Sequence, residues 1–207
     1  MIIAVDGPTA SGKGTIAKAL ARHYGLPHLD TGLLYRAVGY QCFLDGGDPD
    51  EASAALAATA FPDSLLENPA LRSEETGGLA SRVSVHPAVR QALFERQRAF
   101  ACQPGGAVLD GRDIGTVIAP EAEAKLFVVA SVKARAQRRF LEMQGRGAHV
   151  TLDEIEADLA ARDERDRTRA AAPLVAAPDA VVLDTSELSI ETAVAAALAL
   201  VEARRRG

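Results

Sequence analysis

Short apolar runs alternate along this chain with stretches in which apolar positions recur every three or four residues. The runs Ile2–Asp6, Pro27–Asp30, Ala107–Asp110, Lys125–Ala130 and Ala180–Asp184 predict strands. The helical spacing predicts helices over Gly12–Tyr24, Gly32–Leu44, Pro49–Ala58, Pro87–Cys102, Val132–Met143, Leu152–Thr168 and Ile190–Arg205. Strands alternating with helices predict an α/β fold on a parallel sheet. Two segments break the alternation. Residues 60–85 carry Pro, Asn and Gly breakers and read as a small insertion, while "QGRGAHV" (144–150) reads as a glycine-bearing joint between two helices. Both are expected to move.

Composition narrows the class. The length of 207 residues fits one domain, and 48% apolar with 25% charged residues is globular. A net charge of −5 argues against a nucleic-acid binder. Arginine greatly outnumbers lysine, which occurs only at Lys13, Lys18, Lys125 and Lys133; the arginine fork suits carboxylates and phosphates. Cys42 and Cys102 have no disulfide or metal-ligand spacing and read as free thiols of a cytoplasmic protein. Asp6 interrupts the N-terminal apolar run, so no signal peptide is read. The longest apolar run, "AVAAALALV" (193–201), is too short to cross a bilayer and reads as a core-packed helix, with Arg204–Arg206 complementing its dipole.

The chemistry starts at "GPTASGKGT". Gly7, Gly12 and Lys13 have the G-x-x-x-x-G-K spacing between a strand and a helix, which predicts a phosphate cradle formed by Gly7, Pro8, Thr9, Ala10, Ser11, Gly12, Lys13, Gly14 and Thr15. Lys13 reaches the β- and γ-phosphates of the triphosphate. Gly14 occupies the usual hydroxyl position and Thr15 follows, so Thr15 is a weaker candidate to face a metal. Ligands in such sheets bind beyond the carboxyl ends of the strands, where "DTGLLYR", "DGRDIGT" and "DTS" fall. Asp30 or Thr31 could simply cap a helix, but capping leaves Tyr35 and Arg36 unexplained. Asp110 is placed to orient Mg²⁺ through water, and Arg112–Asp113 is either a structural ion pair or a recognition pair.

Eight arginines fall in the single stretch 135–169: Arg135, Arg138, Arg139, Arg146, Arg162, Arg165, Arg167 and Arg169. Arg162, Arg165, Asp166 and Arg169 share one helical face. Solvated pairs Asp158–Arg162 and Asp163–Arg167 are one reading; a lid closing on a phosphate is the other. No catalytic base stands out, as expected for an acceptor that is itself a phosphate dianion. His23, His28, His86 and His149 read as structural.

"GPTASGKGT", "DTGLLYR", "SRVSVHPAVR", "RQRAF", "LDGRDIGT" and "ARDERDRTRAAAPL" occur in an order and spacing that resemble bacterial cytidylate (CMP) kinases, a P-loop nucleoside monophosphate kinase family, nearly end to end. The resemblance implies a three-layer α/β/α P-loop fold with a five-stranded parallel sheet. It also implies an NMP-binding region at 31–102, a lid at 143–169, and a monomer that transfers phosphate from ATP, with Mg²⁺, to CMP or dCMP. It implies catalytic roles for Lys13, Asp110, Arg112, Arg162 and Arg169. Cytosine would be read by Ser81, Arg90 and Asp113, and the acceptor phosphate held by Arg36, Arg112 and Arg169 with Thr31 and Tyr35. Arg162 and Asp166 would contact the ribose, and Thr15 and Asp110 the metal. Thr31 replaces the family's usual serine, and 61–78 looks short and lacks the strand-rich stretch of its longest members. An adenylate- or shikimate-type kinase and a P-loop ATPase switch are the competing readings.

Overall fold

In a computed structural model, which describes residues 1–145 and 150–206, the predicted apolar runs become five parallel strands. These are β1 (Ile2–Asp6), β2 (His28–Asp30), β3 (Ala107–Gly111), β4 (Ala124–Val129) and β5 (Val181–Asp184), in the order β2-β3-β1-β4-β5. β1 lies at the centre, pairing Val5 with Asp110 of β3 and with Leu126 of β4. The helices are α1 (Lys13–Tyr24), α2 (Thr31–Leu44), α3 (Ala52–Ala57), α4 (Glu74–Val83), α5 (Pro87–Ala101), α6 (Val132–Gly145), α7 (Leu152–Thr168) and α8 (Ile190–Arg206).

Helices cover both faces of the sheet, giving the three-layer α/β/α P-loop architecture. On one face Ile16 and Leu20 of α1 and Ala197 and Val201 of α8 pack on Ile3, Val5 and Val128. On the other, Ala4 and Leu109 meet Ala101 and Phe94 of α5 and Ile114 and Ile118 of a single π-helical turn, Ile114–Ile118. A second core joins Leu34 and Val38 of α2 to Leu71, Val83, Val89 and Leu93. A third, smaller one joins Ala136 of α6 to Ile155 and Leu159 of α7. The run at 193–201 packs as the core helix predicted, and among the described residues no helix is long and apolar enough to cross a membrane.

The segment at 60–85 departs from its reading as a mere insertion. After 3₁₀ turns it holds α4, ten residues long, which the pair Gly77–Gly78 hides from a propensity reading. Its start is marked: the Ser73 hydroxyl accepts from the Thr76 N–H, and Glu74 and Glu75 occupy the first turn. α3 is shorter than predicted and ends in a 3₁₀ turn at Ala58–Ala60. No strand forms over 61–78. Of the joint predicted at 144–150, Arg146, Gly147, Ala148 and His149 lie outside the described residues.

Candidate active site

The chain leaves β1 into the P-loop. A Cβ on Gly7 would collide with the Val128 carbonyl, so only glycine fits there. Gly12, at φ 89°, caps α1 without any side-chain hydrogen bond, leaving the first-turn N–H groups for a ligand. Ala10 also adopts a left-handed conformation, φ 62°. The loop is anchored from behind: Arg135, itself buried, donates to the Thr9 carbonyl (3.1 Å), and Thr185 Oγ1 donates to the Ser11 carbonyl (2.9 Å). Lys13 Nζ rests 3.3 Å from the Pro8 carbonyl. Burial and then Arg112 pull the Lys13 ammonium down to about 8, against Asp110, Asp30 and Asp166. The Ser11 hydroxyl is buried and has no hydrogen-bond partner among the described residues.

A cavity of about 240 Å³ opens beside the loop and gathers what the sequence scattered. α2 contributes Thr31, Tyr35 and Arg36; α4 and α5 contribute Ser81 and Arg90. The end of β3 and the turn after it bring Asp110, Arg112 and Asp113, and α7 brings Arg162 and Asp166, with Arg169 just beyond its end. Thr9, Ala10, Lys13 and Gly14 form the P-loop wall. Every substrate-binding and catalytic residue predicted from the sequence therefore borders one space.

The pairings differ from the local ones. Arg112 and Asp113 do not form a pair with each other. Arg112 Nε donates to Asp166 (2.8 Å) and Nη2 to Thr9 Oγ1 (2.6 Å), whereas Asp113 accepts from Arg90 Nη2 (2.5 Å). The Arg90 guanidinium also stacks over the Tyr35 ring, 5.3 Å from its centroid. Asp30 stands at the N-cap of α2 without making a capping bond and faces the cavity instead. Thr31 Oγ1 donates to the Asp110 carbonyl (2.8 Å), while the Asp110 carboxylate meets His28 Nε2 (2.7 Å), a contact the sequence did not reveal. Ser81 Oγ accepts from Arg165 Nε (3.1 Å). On α7, Asp158–Arg162 forms at 3.6 Å. Asp163 turns instead to the buried Arg135, which needs an anion more than exposed Arg167 does; Arg167 pairs with Glu164.

Positive charge is in excess here. Arg36 is held by the carbonyls of Leu71 and Ser73 (2.8 Å each) and pulled down to about 10 by burial and by Arg162 and Arg139. Arg162 donates to the Gly77 carbonyl (2.9 Å), and Arg169 to Ser84 Oγ (3.5 Å). Burial lowers both, with Arg112 adding to it at Arg162 and Arg90 at Arg169. Burial opposes the charge on Arg112, but Asp166, Asp110 and Asp30 together more than offset it. Nη2 of Arg169 is buried without a hydrogen-bond partner among the described residues. Guanidinium groups that destabilise one another, one with an unmatched donor, are suited to hold an anion.

A second cavity of about 460 Å³ lies on the far side of the loop, between Ala10, Ser11, Gly12 and Thr15 and the residues Arg138, Thr185, Leu188 and Ile190. The P-loop residues, Arg138 and "DTS" had pointed there; the apolar residues carried no signal beyond helix packing. Thr15 is exposed in this cavity and Asp110 borders the first, so the two predicted metal-facing residues do not share one space. Gly7 and Pro8 line neither. Among the described residues no three His, Cys, Asp or Glu side chains cluster as a metal site.

A family model for cytidylate kinase matches residues 3–203. A curated cytidylate kinase of Xanthobacter autotrophicus is 59% identical over 207 residues, covering all of both chains. One of Rhodopseudomonas palustris is 58% identical over 209 residues, covering all of this chain and 98% of its own. A crystal structure of an uncharacterized protein from Eubacterium ventriosum shares the fold, with a TM-score of 0.56 at 15% identity over 98% of each chain. The match runs from β1 into α8 and takes in both cavities: the chain belongs to the cytidylate kinase family.

Proposed function

We propose that this chain phosphorylates CMP, and dCMP more weakly, at the expense of ATP, with the donor in the second cavity and the acceptor in the first. The observation that carries the acceptor assignment is the Arg90–Asp113 pair, which borders the same cavity as Arg36, Arg112, Arg162 and Arg169. Cytosine has an amino donor beside ring acceptors; Asp113 accepts from the one and Arg90 donates to the others. Ser81, already accepting from Arg165, keeps a lone pair and a proton for the same edge. Arg36, Arg112 and Arg169 hold the acceptor phosphate, and Asp166 and Arg162 the ribose; the lost 2′-hydroxyl contact is why dCMP is the poorer acceptor. Tyr35 stacks under Arg90, and Thr31 acts through the Asp110 carbonyl it already binds.

Lys13, the α1 N-terminus and Ser11 hold the donor phosphates, Thr15 and Arg138 border the donor nucleoside, and Leu188 and Ile190 offer its base an apolar floor. The donor set also fits Mg²⁺. A Cβ on Gly14 would be in ordinary contact with Asp110 Oδ2, so no side chain stands between that carboxylate and the loop. Mg²⁺ keeps most of its waters and needs only one such carboxylate beside the phosphates, whose charge it neutralises when bound. No base is required, because a phosphate monoester is mostly dianionic at pH 7. The protein's work is positioning and charge neutralisation, by Lys13, Arg112, Arg162 and Arg169.

Residues 31–102 then form the NMP-binding region and 143–169 the lid, which already touch through Arg162–Gly77 and Arg165–Ser81. One chain supplies every group, so a monomer suffices, and two free cysteines suit a reducing cytoplasm. The test is ATP-dependent ADP formation with CMP, dCMP, UMP, AMP, GMP or shikimate, and with no acceptor. CMP ahead of dCMP, and both far ahead of the rest, is expected. A preference for AMP or shikimate overturns the cytosine assignment, and equal ADP formation without acceptor overturns phosphotransfer.

A further inference from the structure

Asp6 ends the central strand, directly before the P-loop, and is 5% exposed. It faces away from ligand chemistry and toward the backbone: Oδ1 accepts from the Ile114 N–H and Oδ2 from the Gly115 N–H, both at 2.8 Å. Those two N–H groups follow Asp113 immediately, and Arg112 comes just before it. One carboxylate thus fixes the turn that projects both the base-reading Asp113 and the phosphate-side Arg112. The fit is close: a Cβ on Gly115 would lie 3.4 Å from Asp6 Oδ2.

We propose that Asp6 is a positioning residue for acceptor selection, its two carboxylate oxygens locking the turn after β3 so that Asp113 meets the cytosine edge. This rests on Asp113 reading cytosine. Two acceptor oxygens are required, because a protonated acid or an amide presents a donor to one of the two N–H groups and loses that bond. Selection is therefore coupled to the ionisation of Asp6. Burial, with help from Asp113, raises its pKa to about 7, against the two N–H bonds and Lys13. Of the other charges nearby, Lys125 passes Gly115 with its stem but binds Asp179 and the Pro120 carbonyl with its head, and the carboxylate of Asp110 on β3 is engaged by His28.

The experiment compares kcat/KM for CMP and UMP in the wild type, Asp6→Asn and Asp113→Asn across pH 5.5–8.5. Both substrates carry the same phosphate, so its own titration cancels in the ratio. The inference expects the wild-type CMP preference to fall below about pH 7. It expects Asp6→Asn to hold a preference roughly tenfold lower, the worth of one charge-assisted hydrogen bond, without that pH dependence and with little change in the KM for ATP. If Asp113→Asn lowers the preference and Asp6→Asn does not, the inference is wrong and the cytosine assignment stands. If Asp113→Asn leaves it unchanged, the cytosine assignment itself fails. Equal losses toward ATP and CMP in Asp6→Asn reduce Asp6 to a support of the P-loop and overturn the inference. Should Asp6→Asn not fold, a wild-type preference that is flat across the range overturns it alone.

Discussion

Gly77→Ala separates the stability of α4 from its function. Alanine in a helix interior is favoured over glycine by about 1 kcal/mol, which in a chain of this size raises Tm by roughly 2–4 °C. The same methyl, however, would lie 2.9 Å from Nη2 of Arg162 and 2.9 Å from Nη2 of Arg36. Neither guanidinium yields freely: Arg36 is fixed on the Leu71 and Ser73 carbonyls and Arg162 on the carbonyl of Gly77 itself. One or both must shift by several tenths of an ångström from the positions they hold in the first cavity. A hydrogen bond to a charged group contributes about 1.5–3 kcal/mol, so losing one raises the KM for CMP roughly 10- to 100-fold. Gly78→Ala is the control, with the same gain in helix propensity and no atom within 4 Å of the added methyl. Thermal melts and steady-state KM values for CMP and ATP on both variants decide it. A Gly77→Ala enzyme that melts higher and binds CMP as well as Gly78→Ala does would refute the crowding of the arginines, or their hold on the acceptor.

Lys13, whose ammonium is drawn down to about 8, loses charge in the free enzyme above that pH. The KM for ATP is expected to rise between pH 8 and 9.5 and Lys13→Arg to move that rise upward; a flat profile contradicts it. Asp6 holds its proton up to about 7 in the folded chain, against 3.8 ordinarily. Its contribution to stability is complete below the unfolded value and is lost as pH rises through 7, by roughly 4 kcal/mol over the interval. Urea titrations at pH 4 and 8 are expected to show Asp6→Asn gaining on the wild type with pH, and parallel curves would contradict the burial argument. Arg36→Met removes one of several mutually repelling cations. It is expected to leave Tm unchanged or higher without ligand and to shrink the rise in Tm that CMP produces; an undiminished rise would remove Arg36 from the acceptor site. Asp163→Asn strips the buried Arg135 of its carboxylate and is expected to cost about 3 kcal/mol by urea unfolding, with less than 1 kcal/mol marking the pair as dispensable.

What could be read from the sequence was local. The P-loop, the strands and the carboxylates at their ends declare themselves within a few residues, because a strand–glycine–helix junction has few other uses. α4 was obscured by its two glycines, of which Gly77 serves the close approach of Arg36 and Arg162 rather than helix propensity, although Ser73–Glu74–Glu75 carries the signal of a helix start. Partners were not legible. Arg112 meets Asp166 and Arg90 meets Asp113 across 54 and 23 residues, so the "GRD" turn read alone left a structural ion pair and a recognition pair both open. Asp163 had two arginines in reach, and only the burial of Arg135 decides between them. The second cavity was hidden for another reason: Leu188 and Ile190 look like core residues until the fold leaves them facing the loop.

The central place of β1 also governs how the protein is made. Its neighbours in the sheet are β3, about a hundred residues downstream, and β4, further still. At roughly 5–20 residues per second, the first strand leaves the ribosome many seconds before either partner exists. During that interval an apolar segment waits with both edges open, and the phosphate cradle that follows it has no wall to lean on. Closing such distant pairs is slow by comparison with helix formation. The loop after β1 is thus expected to gain its walls only once β3 and β4 have been made, and a chain cut short before β4 is expected to lack a formed cradle.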